Sequence, residues 1–337
     1  MQAATLENPG RIVVVPEWEE PTAGAGEVLV EIHAVGICGT DLGYWKGLRV
    51  PSQYPWVLGH EAAGRIIGVG EGVDPQRIGE LVALEPNYPG GHCAPCERNE
   101  TSLCTDRGSV ALNLPGFLAE RVSAPAEFAW TLPDDLPLEA AVCTEPLAVV
   151  MGAIRRAGEM PTGSRVLVVG AGAQGLLLVH SLKSGGHDVA VQEPNPDRLD
   201  RALGLGARLA DDDELFPFTF ESSGSARGGE STVNRLAPAG TAIFIGVGND
   251  PIPVDSRVLV RRGVRLQGSM IYDHPVDFAT TVAAISSRAV RPELTLGKEF
   301  TFAETEAAFA TSHELPGKTW IRFPASRSTN SSERQPA

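Results

Sequence analysis

The chain has 337 residues, room for about two domains, with 42% apolar and 21% charged residues, so it can bury a sizeable core. A net charge of −14 weighs against nucleic acid or an anionic membrane as partner. No apolar run is long enough to span a bilayer, the first ten residues lack a signal-peptide pattern, and five cysteines are too few for a disulfide scaffold, so reducing cytoplasm is the expected setting.

The first half of the chain reads as short β segments broken by Gly and Pro, over 11–16, 27–34, 62–69, 81–84 and 119–123, which predicts a barrel-like, mostly antiparallel β domain. Within it Cys38 lies in a Gly-Ile-Cys-Gly-Thr-Asp run, and His60 and Glu61 follow in Gly-His-Glu. Thiolate, imidazole and carboxylate are the donors zinc prefers; a catalytic site takes three and keeps a fourth position open. Gly36, Gly39, Gly59 and Gly64 bracket both groups and place each on a turn. Gly64 also excludes an HExxH helix. Taken singly, Cys38 reads equally as a small buried hydrophobe and His60 as an ordinary core histidine.

Further along, Cys93 and Cys96 stand at C-x2-C spacing with Cys104 after seven more residues, the pattern of a closed structural zinc site with three thiols present. Gly90 stands where a fourth would complete the spacing; the alternative is a loop that keeps three reduced thiols and no metal. A helix is predicted over 142–158, with Leu147, Val150, Met151 and Ile154 on one face, Pro146 at its first position and Thr144 or Glu145 as cap. Capping alone would account for Glu145, and Cys143 reads as a packed apolar residue.

In the second half, an apolar strand over 165–169 runs into Gly170-Ala171-Gly172-Ala173-Gln174-Gly175, then a leucine-rich helix, a strand over 188–192 and the acid Glu193. GxGxxG alone is weak; in this order it predicts a dinucleotide site. Gly170 permits the turn, Gly172 lets backbone N–H groups reach a pyrophosphate, and Gly175 packs helix on strand. A carboxylate at Glu193 favours NAD over NADP, whose 2′-phosphate it would repel. The alternation continues with helices over 198–205, 230–236 and 255–262 and strands over 218–222, 241–247 and 264–269. Segment 207–217 is too short for the crossover helix that a parallel strand pair needs, so an irregular connection is expected.

A Cys/His/Glu constellation, a three-Cys lobe, Glu145-Pro146 and a GxGxxG unit, in this order, resemble the zinc-dependent medium-chain dehydrogenase/reductase family, over roughly residues 1–323. The polyol, sugar and threonine dehydrogenase branch is the most similar, because Glu-Pro stands where other members carry a Cys ligand. The resemblance implies an α/β protein with a GroES-like β-barrel catalytic domain (1–150, rejoined by 273–324), a Rossmann-type doubly wound nucleotide-binding domain (151–272) and a disordered tail (325–337). It further implies that Cys38, His60, Glu61 and Glu145 bind a catalytic zinc, that Cys93, Cys96 and Cys104 are candidates for a structural one, and that Asp41 orients His60. Thr40 would bond the reacting hydroxyl, and Tyr44 and Trp45 would line the pocket. Besides Gly170, Gly172 and Gly175, the cofactor would be met by Ala173, Gln174, Glu193, Arg198, Val247 and Ser269.

The implied reaction is reversible oxidation of a secondary alcohol by NAD, NADP being the less favoured cofactor, with a small alcohol or ketone as substrate and a homodimer or homotetramer as the family's habit. The relay histidine common in the family is missing, with Gly43 and Tyr44 in its neighbourhood. Two rivals stand beside this: a zinc-free enone or quinone reductase of the same fold, and a non-catalytic nucleotide sensor.

Overall fold

The strand Glu27–Gly36 is the spine of the first half, alternating buried and half-exposed side chains as period-two patterning dictates. It pairs antiparallel with Glu61–Val69 over its length, with Arg121–Pro125 at its start and with Lys318–Arg322 at its end. Register shifts in the first of these pairings bend the seven-stranded sheet, as bulges do when sheets curl toward barrels. This computed structural model describes residues 1–324; the tail predicted over 325–337 lies outside the described residues.

The second sheet has six parallel strands in the order Arg208–Leu209, Asp188–Gln192, Arg165–Val169, Phe216–Glu221, Leu236–Phe244 and Arg265–Gly268. The order reverses direction at Arg165–Val169, where an open α/β sheet forms its ligand crevice. The helix predicted over 230–236 spans Ala226–Asn234 instead, because the Ser225 hydroxyl caps it by accepting from Gly228 N at 3.0 Å. Segment 207–217 holds a two-residue edge strand and no helix. In place of a helix, Arg208 ties Asp188 to Glu214, and the guanidiniums of Arg208 and Arg235 lie 5.9 and 5.6 Å from the Phe216 ring centre. They roof a small cluster of Leu167, Val169, Ala190 and Phe216.

Between the two sheets runs the helix Thr144–Arg156. Its sequence suggests one apolar face, yet Thr144 to Val150, Gly152 and Ala153 are all buried. Its core cluster joins Ala63, Leu81 and Ala83 of one sheet to Val166 and Val168 of the other. The expected cap is corrected too: Cys143 holds the N-cap position with no side-chain bond, Thr144 Oγ1 donates to Ala141 O, and Pro146 is the third helical residue. The short helix Leu138–Ala141 feeds almost directly into it, so Glu145 has no capping task. Among the described residues no helix is long and apolar enough to cross a membrane.

The far end of this helix is fastened by charge. Arg156, with its side chain 11% exposed, donates to Asp273 Oδ2 at 2.6 Å, Ser102 Oγ, Ser269 Oγ and Ile271 O, while Arg155 bonds Asp273 and Asp277. Burial alone would raise the Asp273 carboxyl, but Ser102, Arg156 and Arg155 hold it below its ordinary value. Asp273 would keep Arg155, but the loss of Arg156 leaves Ser102 Oγ, Ser269 Oγ and Ile271 O without their donor, so Arg156→Met should lower unfolding free energy by about 2–3 kcal/mol. Arg98→Met, which removes an exposed pair with Glu100, should cost about 0.5 kcal/mol or less. Urea unfolding of both variants checks this, and equal costs would contradict it.

Candidate active site

Two loops far apart in sequence are stitched together by one carboxylate. Cys38 follows the spine strand and occupies the N-cap position of the short helix Gly39–Trp45. Asp41, fully buried in that helix, accepts from Cys38 N at 3.0 Å with one oxygen and from Gly59 N at 3.0 Å with the other. Gly59 has φ of +85°, and a Cβ there would lie 2.8 Å from Leu118 Cγ, so glycine is required on both counts. His60 comes next, its Nδ1 3.3 Å from Asp41 Oδ1 in a charge contact that is not an aligned hydrogen bond. Burial opposes a charged imidazole, yet Asp41 and Cys38 raise the His60 pKa well above its ordinary value. Burial likewise works against ionised Asp41, but His60 and the two backbone N–H groups hold it low.

Ligand atoms of Cys38, His60 and Glu61 lie within 4.8 Å of one another. The Glu61 carboxylate is fully buried and has room because position 36 is glycine; a Cβ there would be 2.2 Å from Glu61 Oε2. Both of its oxygens accept from Lys318 Nζ, at 2.5 Å, on the strand Lys318–Arg322. Burial works against the charged ammonium, but Glu61, Cys38 and Glu145 raise the Lys318 pKa. The sequence reading missed Lys318. Its one signal is a lysine opening an otherwise buried strand, and the partner lies 257 residues away.

Cys38, Thr40, His60 and Glu145 line one cavity of about 520 Å³ together with Val149, Gln174, Val247 and Met270. Burial and the like charge of Glu61 push the Glu145 pKa up to about 7, against the pull of His60 and Lys318. Gln174 of the glycine turn thus faces a common space with Cys38, His60 and Glu145. Tyr44 and Trp45, expected on the pocket wall, do not line it: Tyr44 is buried in the β-domain core with Trp45 packed against that core, and Gly43, Leu48 and Arg49 take the wall. Val247 is an exposed part of the wall, whereas Ser269 is buried with its hydroxyl on Arg156, leaving Met270 and Ile271 toward the cavity.

Across the glycine turn a second cavity of about 510 Å³ is lined by Gly170, Gly172, Glu193, Arg198, Ser223, Ser225 and Arg227, among others. Gly175 must lack a side chain, since a Cβ would sit 2.0 Å from Gly170 O; Ala173 and Gln174 open the helix Ala173–Ser184 beside it. Glu193 accepts from Ala171 N at 2.6 Å and from Asn195 N at 2.9 Å, and Arg198 donates to His313 O at 2.9 Å. Ser223, Ser225 and Arg227 escaped the sequence reading because they follow the fourth strand, outside the GxGxxG unit.

In the lobe, Cys93 Sγ lies 3.5 Å from Cys96 Sγ and 3.8 Å from Cys104 Sγ. The N–H of Thr105 leads in lowering the Cys93 thiol to about 6, while burial and the neighbouring Cys93 and Cys104 thiols push Cys96 up to about 11. A side chain at Gly90 would meet Asp106, 2.6 Å from its carbonyl oxygen and 3.0 Å from Oδ2, so the loop has closed over the fourth position. Cys143 packs with Ala34, Val142 and Trp320, and burial pushes its thiol pKa up.

A curled β sheet bearing a Cys/His/Glu cluster, facing a parallel nucleotide-type sheet across one crevice, is the architecture of a two-lobed dehydrogenase. The Alcohol dehydrogenase GroES-like domain model matches residues 24–134. L-galactonate-5-dehydrogenase of Escherichia coli is 30% identical, covering 86% of this chain and 89% of its own, and a sorbitol dehydrogenase of Bombyx mori is 30% identical over 86% and 88%. An Escherichia coli alcohol dehydrogenase solved with NADH superposes with a TM-score of 0.88 at 26% identity, covering 96% of this chain and 99% of that one. The chain belongs to the zinc-dependent medium-chain dehydrogenase/reductase family.

Removing Lys318 would strand a buried carboxylate beside the other donors. Lys318→Met should destabilise chelator-treated protein by about 3–5 kcal/mol, and adding Glu61→Gln should restore more than half of that loss. Thermal and urea unfolding of the single and double variants read this out; a single-variant cost near that of a surface pair would show Glu61 is satisfied some other way.

Proposed function

We propose that this protein is a zinc-dependent dehydrogenase that interconverts a secondary alcohol (polyol, sugar or cyclitol) and its ketone with a nicotinamide dinucleotide. One observation carries the reading: Cys38, His60 and Glu145 share a single cavity with Gln174 of the glycine turn. The donor set fits zinc, with a thiol, an imidazole and the Glu61 carboxylate within 4.8 Å of one another and Glu145 on the wall of the cavity that Cys38 and His60 also line. Bound there, zinc would supply the Lewis acidity that lowers the hydroxyl pKa, and the nicotinamide would supply the hydride acceptor.

The chain's own residues do the rest. Asp41 holds the backbones of Cys38 and Gly59 in register and faces His60, fixing two donors at once. Lys318 cancels the charge of Glu61, which leaves Cys38 and Glu145 as the net anionic donors against a divalent ion. Thr40, half-buried on the cavity wall, is placed to bond the substrate hydroxyl and pass its proton to water, the route left open by Gly43. On this reading residues 1–150 and 273–324 form the catalytic lobe and 151–272 the nucleotide lobe. The protein works in the cytoplasm as a homo-oligomer, and Cys93, Cys96 and Cys104 are candidates for a second, structural ion, the alternative being a loop of three reduced thiols.

The acid at Glu193 supports NAD, since a second negative group there repels a 2′-phosphate; Arg198 and Arg227 in the same cavity are the observation that favours NADP. The sensor reading keeps the support of the missing relay histidine, with Gly43 and Tyr44 in its neighbourhood. Cys38→Ser and His60→Ala should each lower turnover by about a thousandfold or more. NADH affinity, read by fluorescence, should stay within about threefold, because the adenosine cavity is untouched. Zinc counted per chain, with NADH formation followed on a polyol panel, is the decisive assay. No zinc at Cys38 and no turnover would overturn the proposal in favour of the sensor. Glu193→Ala should narrow the NAD-over-NADP ratio of kcat/KM about tenfold, and an unchanged ratio would show that Glu193 does not select the cofactor.

A further inference from the structure

The cavity that holds Cys38, Thr40, His60 and Glu145 has one cationic arm that the alcohol reaction does not need. Arg49 is the sole lysine or arginine among the residues lining it. Its backbone is anchored, with Arg49 N and Leu48 N both donating to Gly43 O, at 3.2 and 2.9 Å. Its stem runs beside Gly43, where an added Cβ would lie at ordinary contact distance, 3.6 Å from Arg49 Cδ and 3.7 Å from Nε. Arg155, Arg156 and Arg208, by contrast, are spent on carboxylates. The Arg49 side chain has no hydrogen-bond or ion-pair partner among the described residues. An unspent guanidinium facing a reaction cavity, in a chain of net charge −14, is a binding element for an anion.

We propose that Arg49 receives the carboxylate of the substrate, so that the alcohol oxidised here is a polyhydroxy carboxylic acid of the sugar-acid type. This rests on the dehydrogenase reading above and narrows its substrate class. A single planar fork matches one carboxylate with two parallel hydrogen bonds. A phosphomonoester carries a charge of about −1.5 to −2 at neutral pH, and this wall has no second lysine or arginine for it. The carboxylate is a handle and does not react. The carbinol carbon loses a hydride to the oxidised nicotinamide and its hydroxyl loses a proton, giving ketone, reduced cofactor and H⁺.

The test uses zinc-loaded full chain and matched substrates: gluconate and galactonate, the neutral alditols glucitol and galactitol, and galactitol 1-phosphate. Wild type should favour an aldonate over its alditol. In Arg49→Met that aldonate-to-alditol ratio of kcat/KM should fall about 10- to 100-fold, chiefly through KM, with partial rescue by Arg49→Lys. A ratio unmoved by Arg49→Met overturns the proposal, as does a wild-type preference for the phosphate. A rise in KM for the dinucleotide alone would assign Arg49 to the cofactor and also overturn it. If no alcohol is oxidised at all, the dehydrogenase reading fails. Calorimetric binding of gluconate to the NADH complex, wild type against Arg49→Met, then decides the anion site separately: binding that Arg49→Met abolishes supports it, and no difference refutes it.

Discussion

A buried ammonium–carboxylate pair, Lys318 with Glu61, is the constraint on which the site depends. Taking both charges out of water is costly, and the cost is offset only when geometry is good and every lone pair is used. Here the pair draws the return strand against the two loops that carry Cys38 and His60. It also sets the charge of the cluster. Cys38, Glu61 and Glu145 bring three acidic groups to one end of the crevice, and the lysine offsets the charge of Glu61.

The helix Thr144–Arg156 carries the second constraint. Because it is buried between both sheets, its N-terminal Glu145 and Val149 face the crevice while Arg155 and Arg156 at the other end clamp Asp273 and Asp277. One rigid element therefore presents a carboxylate to the cavity that Cys38 and His60 line and fastens the chain where it returns toward the first sheet. Asp41 plays the same double part on a smaller scale, positioning two loops through backbone N–H groups before it meets His60. Placement of this kind, with side chains locked by packing and hydrogen bonds, is what makes a metal-type site selective.

The crevice is asymmetric in charge. Its inner end holds Cys38, His60 and Glu145, its outer wall carries Arg49, and beyond the glycine turn Glu193 faces Arg198 and Arg227. Each cavity thus offers both signs within reach of one ligand. Such an arrangement orients polar molecules rather than merely concentrating them.

Much of this was legible in the sequence, for definite reasons. Period-two burial in Glu27–Gly36, the strand–glycine–helix order at Gly170 and the donor types at Cys38, His60 and Glu61 are local features, set by residue spacing and side-chain chemistry. The missing crossover helix was legible as well, since ten or so residues cannot hold one. Lys318, Arg49 and the release of Glu145 from capping were not. Lys318 meets a partner 257 positions away, Arg49 lines a cavity walled by segments far apart in sequence, and Glu145 is freed by a helix that precedes it. Pocket walls failed for the same reason: Tyr44 turned into the core, and which side of a short helix faces a cavity depends on what packs behind it. The sequence by itself determined the elements, the donors and the nucleotide turn, because these rest on short-range periodicity and chemistry. Only the tertiary structure decided which charges meet, because burial and long-range pairing exist only once the strands have closed.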